Sequence, residues 1–171
     1  MDAQYIVELL DKVKHDIKFF NCGIKELDLY IKERGSQEIK KKVSAVYVIH
    51  EKGKKDIFGY YTLSSYSINL SDLPEDVIKK FPKYPLLPAT LIGRLAVDKK
   101  LQGKKIGQHL LLDALFRSYR LSKQIGSIAV VVDAKNKKAK GFYEKFGFKS
   151  FHKHSLKLYL PMKTIKNLIT G

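Results

Sequence analysis

No stretch of the 171 residues approaches the roughly 20 consecutive apolar residues of a membrane span. The first fifteen residues carry Asp2, Glu8 and Asp11 and lack an uninterrupted apolar run, so a secretory leader is not expected either. A single cysteine, Cys22, excludes an internal disulfide and fits a reducing, cytoplasmic compartment; it reads as a small packed residue. Neither G-x-x-x-x-G-K-[ST] nor G-x-G-x-x-G occurs, which removes the nucleoside-triphosphate P-loop and the dinucleotide fingerprint. The five histidines form no metal pattern: His152 and His154 share a strand face but want a third ligand, so no metal is expected. Acidic residues are scarce, 17 against 33 Lys and Arg, and the resulting net charge of +16 favours a polyanionic partner.

What is present suits one globular domain over residues 1–171, with 44% hydrophobic content and no repeats. Its centre is the stretch from Leu91 to Leu112. Leu91 to Val97 reads as a strand apolar enough to be buried on both faces. The basic loop Gln102-Gly103-Lys104-Lys105-Ile106-Gly107 follows, and then a helix with Ile106, Leu110, Leu111, Ala114 and Leu115 along one side. Glycines let the backbone turn tightly and approach a ligand, and the first N–H groups of a helix point outward with a partial positive charge. With Lys104 and Lys105 beside them, these groups suit a pyrophosphate. Taken alone, the same six residues also describe an ordinary turn on a solvated face.

The flanking segments complete a mixed pattern. Tyr5 to Val7 is a short strand; Ile24, Leu27, Tyr30 and Ile31 have helical spacing, with Asn21 as the expected cap and Gly35 as the expected break before a basic helical piece through Lys42. Val46 to Ile49 and Ile57 to Ser67 are antiparallel strands joined by a polar turn, and the alternation over Tyr60 to Ser65 offers one row of hydroxyl groups to a cleft. Pro74 starts a short helix, and Pro82, Pro85 and Pro88 impose an extended approach to the central strand. Ile128 to Val132 is a second apolar strand, Lys137 to Lys145 a shorter helix, Phe148 to Leu160 the last strand or strands, and Pro161 introduces an amphipathic tail.

After the second apolar strand, Asn136, Ala139, Phe142, Tyr143, Glu144, Gly147 and Phe148 form N-x-x-A-x-x-F-Y-E-x-x-G-F. Together with the loop at 102–107, this resembles the GNAT N-acetyltransferases. The likeness is closest to the GNAT toxins of type II toxin–antitoxin systems. It is carried by Phe20-Asn21-Cys22-Gly23 with Leu27, Asp28 and Tyr30, by Gly59-Tyr60-Tyr61-Thr62-Leu63-Ser64, by Tyr84-Pro85 and Pro88-Ala89 through Gly93-Arg94-Leu95-Ala96-Val97-Asp98, and by Asp113-Ala114-Leu115 with Arg117. Two departures stand out: Lys105 occupies the usual first motif glycine, and the Tyr84 to Pro88 segment is one residue longer than the pattern.

The resemblance implies an α/β fold, a single GNAT domain with a central splayed mixed sheet flanked by helices. It implies acetyl-CoA as cosubstrate. The pyrophosphate would lie on Gln102, Gly103, Lys104, Lys105, Ile106, Gly107 and Gln108, and the pantetheine along Leu95, Ala96 and Val97 as an added strand, bonded also by Asn136. A backbone N–H of that strand would hold the thioester oxygen, and Tyr143 would give a proton to the departing thiolate. Arg94 is placed near the cleft, binding substrate or bracing the strand. No general base is evident, which suits an α-amine with a pKa near 8 better than a lysine near 10.4. The implied acceptor is aminoacyl-tRNA, with translation blocked by its acetylation. A DNA-binding antitoxin and a homodimer are implied as partners. A GNAT acting on protein N-termini or small amines, and a non-catalytic RNA-binding module, remain the alternatives, distinguished by salt dependence and by the effect of Tyr143→Phe.

Overall fold

The computed structural model describes residues 4–151 and 154–171, and the side chains of His152 and His154, paired on one face in the sequence reading, lie outside the described residues. Seven strands form one mixed sheet flanked by helices: β1 (Tyr5–Leu9), β2 (Ala45–Glu51), β3 (Ile57–Asn69), β4 (Leu86–Val97), β5 (Ala129–Asp133), β6 (Lys149–Phe151) and β7 (His154–Pro161), in the order β1-β2-β3-β4-β5-β7-β6. The helices are α1 (Lys25–Leu29), α2 (Gly35–Lys40), α3 (Glu75–Ile78), α4 (Ile106–Ser122), α5 (Lys137–Glu144) and α6 (Met162–Thr170). Among the described residues no helix is long and apolar enough to cross a membrane. The chain divides into two compact units: residues up to Ser64 with Gly93–Ala114, and Ser65–Ile92 with Leu115–Gly171.

In the first unit, β1 pairs antiparallel with β2 from Tyr5↔Glu51 to Leu9↔Tyr47, and β2 pairs antiparallel with β3. Val46 and Val48, two apart on one face of β2, meet Leu10, Phe20, Leu27, Tyr30, Ile31 and Tyr60 in the core. The expected helix break at Gly35 does not occur. A π-helical turn over Tyr30–Arg34 joins α1 to α2, and Gly35 is itself helical at φ −52°. The widened turn keeps Leu27, Tyr30 and Ile31 all inward. Asn21 does not cap α1, whose N-cap is Ile24; its Oδ1 accepts the Gly23 N–H at 2.9 Å in a local turn. The hydroxyl row of β3 also differs from expectation. Tyr60 and Tyr61 are both fully buried, their hydroxyls donating to Leu27 O at 2.7 Å and Asp113 Oδ2 at 2.6 Å, because the strand is covered on both faces from Gly59 to Leu63 and opens only at half-buried Ser64 and exposed Ser65.

In the second unit, β4 and β5 run parallel through Thr90↔Val130, Leu91↔Val131 and Ile92↔Val132, and β5 pairs antiparallel with β7 from Ala129↔Pro161 to Asp133↔Lys157. Val130, Val131 and Val132 are wholly buried, as a strand covered on both faces requires. Ile68, Leu73, Leu87, Ala89, Phe151 and Tyr159 complete this core with Val131. Pro74 and Pro161 sit at the N-caps of α3 and α6, where a missing N–H removes no helical bond.

β4 departs from the sequence reading twice. It begins at Leu86 and takes in Pro88, whose carbonyl still accepts the Ile128 N–H at 2.9 Å. Its last five residues, Gly93 to Val97, are half-buried except for Ala96, so the strand is not covered on both faces throughout. Where β3 approaches this segment, a Cβ on Gly59 would lie 2.6 Å from Ala96 O and 2.9 Å from Leu110 Cδ1. Gly59→Ala is therefore expected to destabilise the fold by about 1–3 kcal/mol, the range for overpacking a full core. A lowered denaturant midpoint checks this, and an unchanged midpoint would contradict the close approach.

Candidate active site

At the end of β4 the chain enters a short 3₁₀ turn, Lys99–Leu101, whose cap is Asp98. Asp98 Oδ1 accepts the Lys100 N–H at 3.0 Å, and Oδ2 accepts the Asn21 N–H at 3.2 Å. Asn21 returns the tie, its carbonyl accepting the Lys99 N–H at 2.8 Å. The Gln102 side-chain nitrogen donates to Cys22 O and to Val97 O, both at 3.0 Å. Two carbonyls take both of its amide hydrogens, so this side chain braces the loop, and what it offers a ligand is its backbone. The early Asn21-Cys22-Gly23 segment is thus a structural support for the basic loop, a role with no local sequence signal, since these partners are about 80 positions apart.

Beyond the brace, Gly103 turns at φ +80° and Lys105 at φ +65°. Lys105 therefore adopts the left-handed backbone that its position calls for, and the departure from glycine leaves the turn intact. α4 starts at Ile106, and Lys105 O accepts the His109 N–H at 3.1 Å as the helix's first backbone bond. The N–H groups of Ile106, Gly107 and Gln108 consequently have no acceptor within the helix and point out of its positive end. Lys104 and Lys105 are exposed beside them. Two left-handed residues two apart, followed by a 17-residue helix, make a backbone concavity suited to an anion.

Within the second unit, Asn136 caps α5, its Oδ1 accepting the Ala139 N–H at 2.9 Å. Tyr143 lies on α5 with 7% exposure, its ring edge-on to Phe142 at 5.3 Å and to Phe148 at 5.5 Å. Burial holds its phenol well above the ordinary tyrosine range, so the hydroxyl keeps its proton at neutral pH. Packing and proton retention are here one property.

Arg94, half-buried on β4, stacks its guanidinium 3.6 Å from the Tyr30 ring centroid. Tyr30 donates to Glu38 Oε2 at 2.6 Å, and Ser44 donates to the same oxygen at 2.8 Å. Burial, aided by the Glu38 carboxylate, pushes the Tyr30 phenol up to about 12. Arg94 is thus packed on the Tyr30 ring, whose hydroxyl is held by Glu38. Cys22 is buried and its thiol is pushed up to about 11, chiefly by burial, which is the opposite of an activated nucleophile.

One cluster lay beyond sequence reasoning. Glu8, His15 and His50 bring their donor atoms within 4.8 Å of one another. Glu8 Oε1 lies 3.0 Å from His15 Nε2 and 2.9 Å from His50 Nε2. His15 Nδ1 accepts the Asp11 N–H at 3.0 Å, so its hydrogen sits on Nε2 and that nitrogen has no lone pair for a metal. The set is a hydrogen-bonded clamp between β1, the loop after it and β2. The two histidines hold the Glu8 carboxyl below the usual carboxylate range.

Comparison with known proteins agrees with this geometry. A family model described as Acetyltransferase (GNAT) domain matches residues 42–150. The chain is 31% identical to the probable toxin TacT of Sinorhizobium fredii, over 98% of this chain and 96% of that protein. It is 34% identical to a tRNA-acetylating toxin of Mycobacterium tuberculosis, over 90% of each. The structure of AtaT complexed with acetyl-methionyl-tRNAfMet superposes with a TM-score of 0.89 at 28% identity, covering 97% of this chain and 99% of that one. A variant of the same toxin bound to the C-terminus of the antitoxin AtaR and acetyl-CoA superposes with a TM-score of 0.82 at 25% identity, covering 98% and 99%.

Two outcomes follow from the local geometry. A left-handed backbone costs an L-residue roughly 1–2 kcal/mol, and glycine's greater unfolded-state freedom returns about 0.5–1 kcal/mol. Lys105→Gly is accordingly expected to stabilise the protein by up to about 1 kcal/mol in a denaturant melt, whereas Gly103→Ala lowers the midpoint. For Cys22, a thiol at about 11 is ionised to only about one part in a thousand at pH 8. Alkylation of the native protein should therefore be far slower than that of a free thiol, and should accelerate only on unfolding.

Proposed function

The chain belongs to the GNAT acetyltransferases, and on that footing we propose that it moves the acetyl group of acetyl-CoA onto the α-amino group of an aminoacyl-tRNA, as a toxin that halts translation. The observation that carries the coenzyme half is the paired left-handed turn at Gly103 and Lys105 opening directly onto the start of α4. The N–H groups of Gly103 and of Lys105 to Gln108 take the pyrophosphate oxygens, the Lys104 N–H being bonded to Leu101 O at 3.3 Å, and the Lys104 and Lys105 side chains add charge. Half-buried Leu95 and Val97 flank the Ala96 position on a strand whose backbone serves as the edge for the pantetheine amides. Asn136, whose carbonyl holds α5, is the residue that the family likeness assigns to the pantetheine amides.

The transfer requires charge relief at two atoms. A backbone N–H of Leu95 to Val97 stabilises the negative charge that develops on the thioester oxygen. Tyr143 donates a proton to the departing sulfur, and its burial keeps the phenol protonated and so loaded for that step. The acceptor arrives as a free amine. An α-amino group near 8 is partly neutral at physiological pH, so the reaction proceeds without a dedicated base.

The acceptor half rests on charge and on kinship. A net charge of +16 exceeds what the few phosphates of a coenzyme need, and it attracts a polyanion that presents an α-amine. One relative is a tRNA-acetylating toxin, and AtaT is seen with acetyl-methionyl-tRNA. The same kinship supports a DNA-binding antitoxin as the controlling partner; a homodimer as the working form, in the cytoplasm where charged tRNA resides, completes the reading. β3, β4 and α4 each run through both compact units, and residues 1–171 are read as one catalytic domain.

Labelled acetyl-CoA offered with a total aminoacyl-tRNA pool should label the aminoacyl group. Tyr143→Phe should reduce the rate about 100-fold or more, the usual worth of a positioned acid, with acetyl-CoA affinity retained. The wild-type rate should rise through the amine's pKa near 8 and then level, with no descending limb below about pH 10, because the raised phenol stays protonated there. Wild-type protein that binds acetyl-CoA but leaves every aminoacyl-tRNA unlabelled would transfer the reading to protein N-termini or small amines.

A further inference from the structure

We infer that an open trough in the first unit, formed by the loop after β1, the π-helical turn and the β2–β3 turn, is a contact surface for the tRNA phosphate backbone, separate from the coenzyme loop. The inference rests on the aminoacyl-tRNA reading for the identity of its RNA. The trough encloses about 560 Å³ and is lined by Lys12, Lys18, Lys32 and Lys55, with Val13 and Ile17 between them. Four lysines from three separated segments line it beside one acid, Asp16, whose Oδ1 accepts the Lys18 N–H at 2.9 Å. Among the described residues no ion pair engages any of the four lysines. None of the residues from Gln102 to Gln108 lines this space, so the coenzyme's phosphates do not account for its charge.

The walls are held in advance of any ligand. His15 is buried and bonded to Glu8 and to the Asp11 N–H, which fixes the turn that carries Lys12 and Val13. The Asp16 N–H donates to Lys55 O at 2.8 Å, and the Ile57 N–H to Asp16 O at 3.3 Å, so the loop and the β2–β3 turn are tied at the lysine itself. A preformed trough loses little entropy on binding. Val13 and Phe19 on the same loop are exposed to 84% and 76%, and Lys18 Nζ lies 5.5 Å from the Phe19 ring centroid. An exposed flat ring beside lysines matches the combination that holds nucleic acid, charge for phosphates and a face for a base. Point-charge lysines in an open trough, without a guanidinium fork, favour a repeating phosphate backbone over an acidic peptide with its planar carboxylates.

The test measures binding of deacylated tRNA by fluorescence anisotropy, so that it does not depend on acetyl transfer. The full-length wild type is compared with the triple variant Lys12→Ala/Lys18→Ala/Lys55→Ala, the corresponding triple arginine variant, Phe19→Ala, and Lys14→Ala as an exposed control. Losing three phosphate contacts should lower the slope of log affinity against log salt by about 2 and weaken binding about 10- to 100-fold at 50 mM salt. Arginine should restore the slope, and Phe19→Ala should weaken binding with the slope unchanged. Thermal melting and acetyl-CoA affinity should match the wild type in every variant. A triple variant with wild-type slope and affinity overturns the inference, as does a loss that Lys14→Ala reproduces. So does an oligoglutamate probe whose binding needs these lysines while tRNA binding does not, which would make the trough a surface for an acidic protein segment. If acetyl transfer to tRNA fails while the lysines still govern tRNA binding, the function falls and the trough stands; if transfer succeeds and the lysines are silent, the trough alone falls.

Discussion

The brace that joins Asn21 and Cys22 to the chain after β4 governs what the basic loop can do. A glycine-containing loop carrying four lysines from Lys99 to Lys105 would by itself sample many shapes, and its own charges would push it apart. Asp98 and the Gln102 carboxamide remove that freedom, linking the loop to Asn21, Cys22 and Val97 through backbone groups. Once held, the turn emerges with Gly103 and Lys105 left-handed and the helix start facing outward. Polar bonds of this kind contribute modestly to net stability, on the order of 1 kcal/mol each. Their larger effect is preorganisation of donors for an anion.

The same economy of roles recurs at individual residues. Asn136 closes the start of α5 with its carbonyl, a cap that does not use its amide hydrogens. Tyr143 packs against Phe142 and Phe148, and the burial that this packing produces is what keeps its proton. Arg94 stabilises Tyr30 from above while Glu38 holds the phenol from the other end. In each case a side chain that looks purely structural also sets a chemical property, so a simple division into packing and function would misassign it.

Legibility from sequence was uneven, and the pattern has a physical basis. The buried side of α4 and the strand at Val130 to Val132 follow from apolar periodicity, which is a local signal. The loop and the N-x-x-A-x-x-F-Y-E segment were legible because few residue types satisfy those backbone and packing demands. The expected break at Gly35 did not materialise, since tertiary burial of Tyr30 and Ile31 favours a widened helical turn over a stop. The hydroxyl row on β3 was misread for a related reason: alternation says which side chains share a face, and says nothing about whether that face is covered.

By itself, the sequence determined the fold family, the order of strands and helices along the chain, the position of the basic glycine loop and the excess of positive charge, because these depend on short-range patterns and composition. Only the tertiary structure decided that Asn21 and Cys22 support the loop, that Lys105 takes a glycine's conformation, that Glu8, His15 and His50 form a clamp, and that Lys12, Lys18, Lys32 and Lys55 share one trough. Each of these joins residues distant along the chain, or fixes a dihedral angle through contacts with them. Such relations are set by the closing of the sheet and the packing of helices upon it, and no window of adjacent residues contains them.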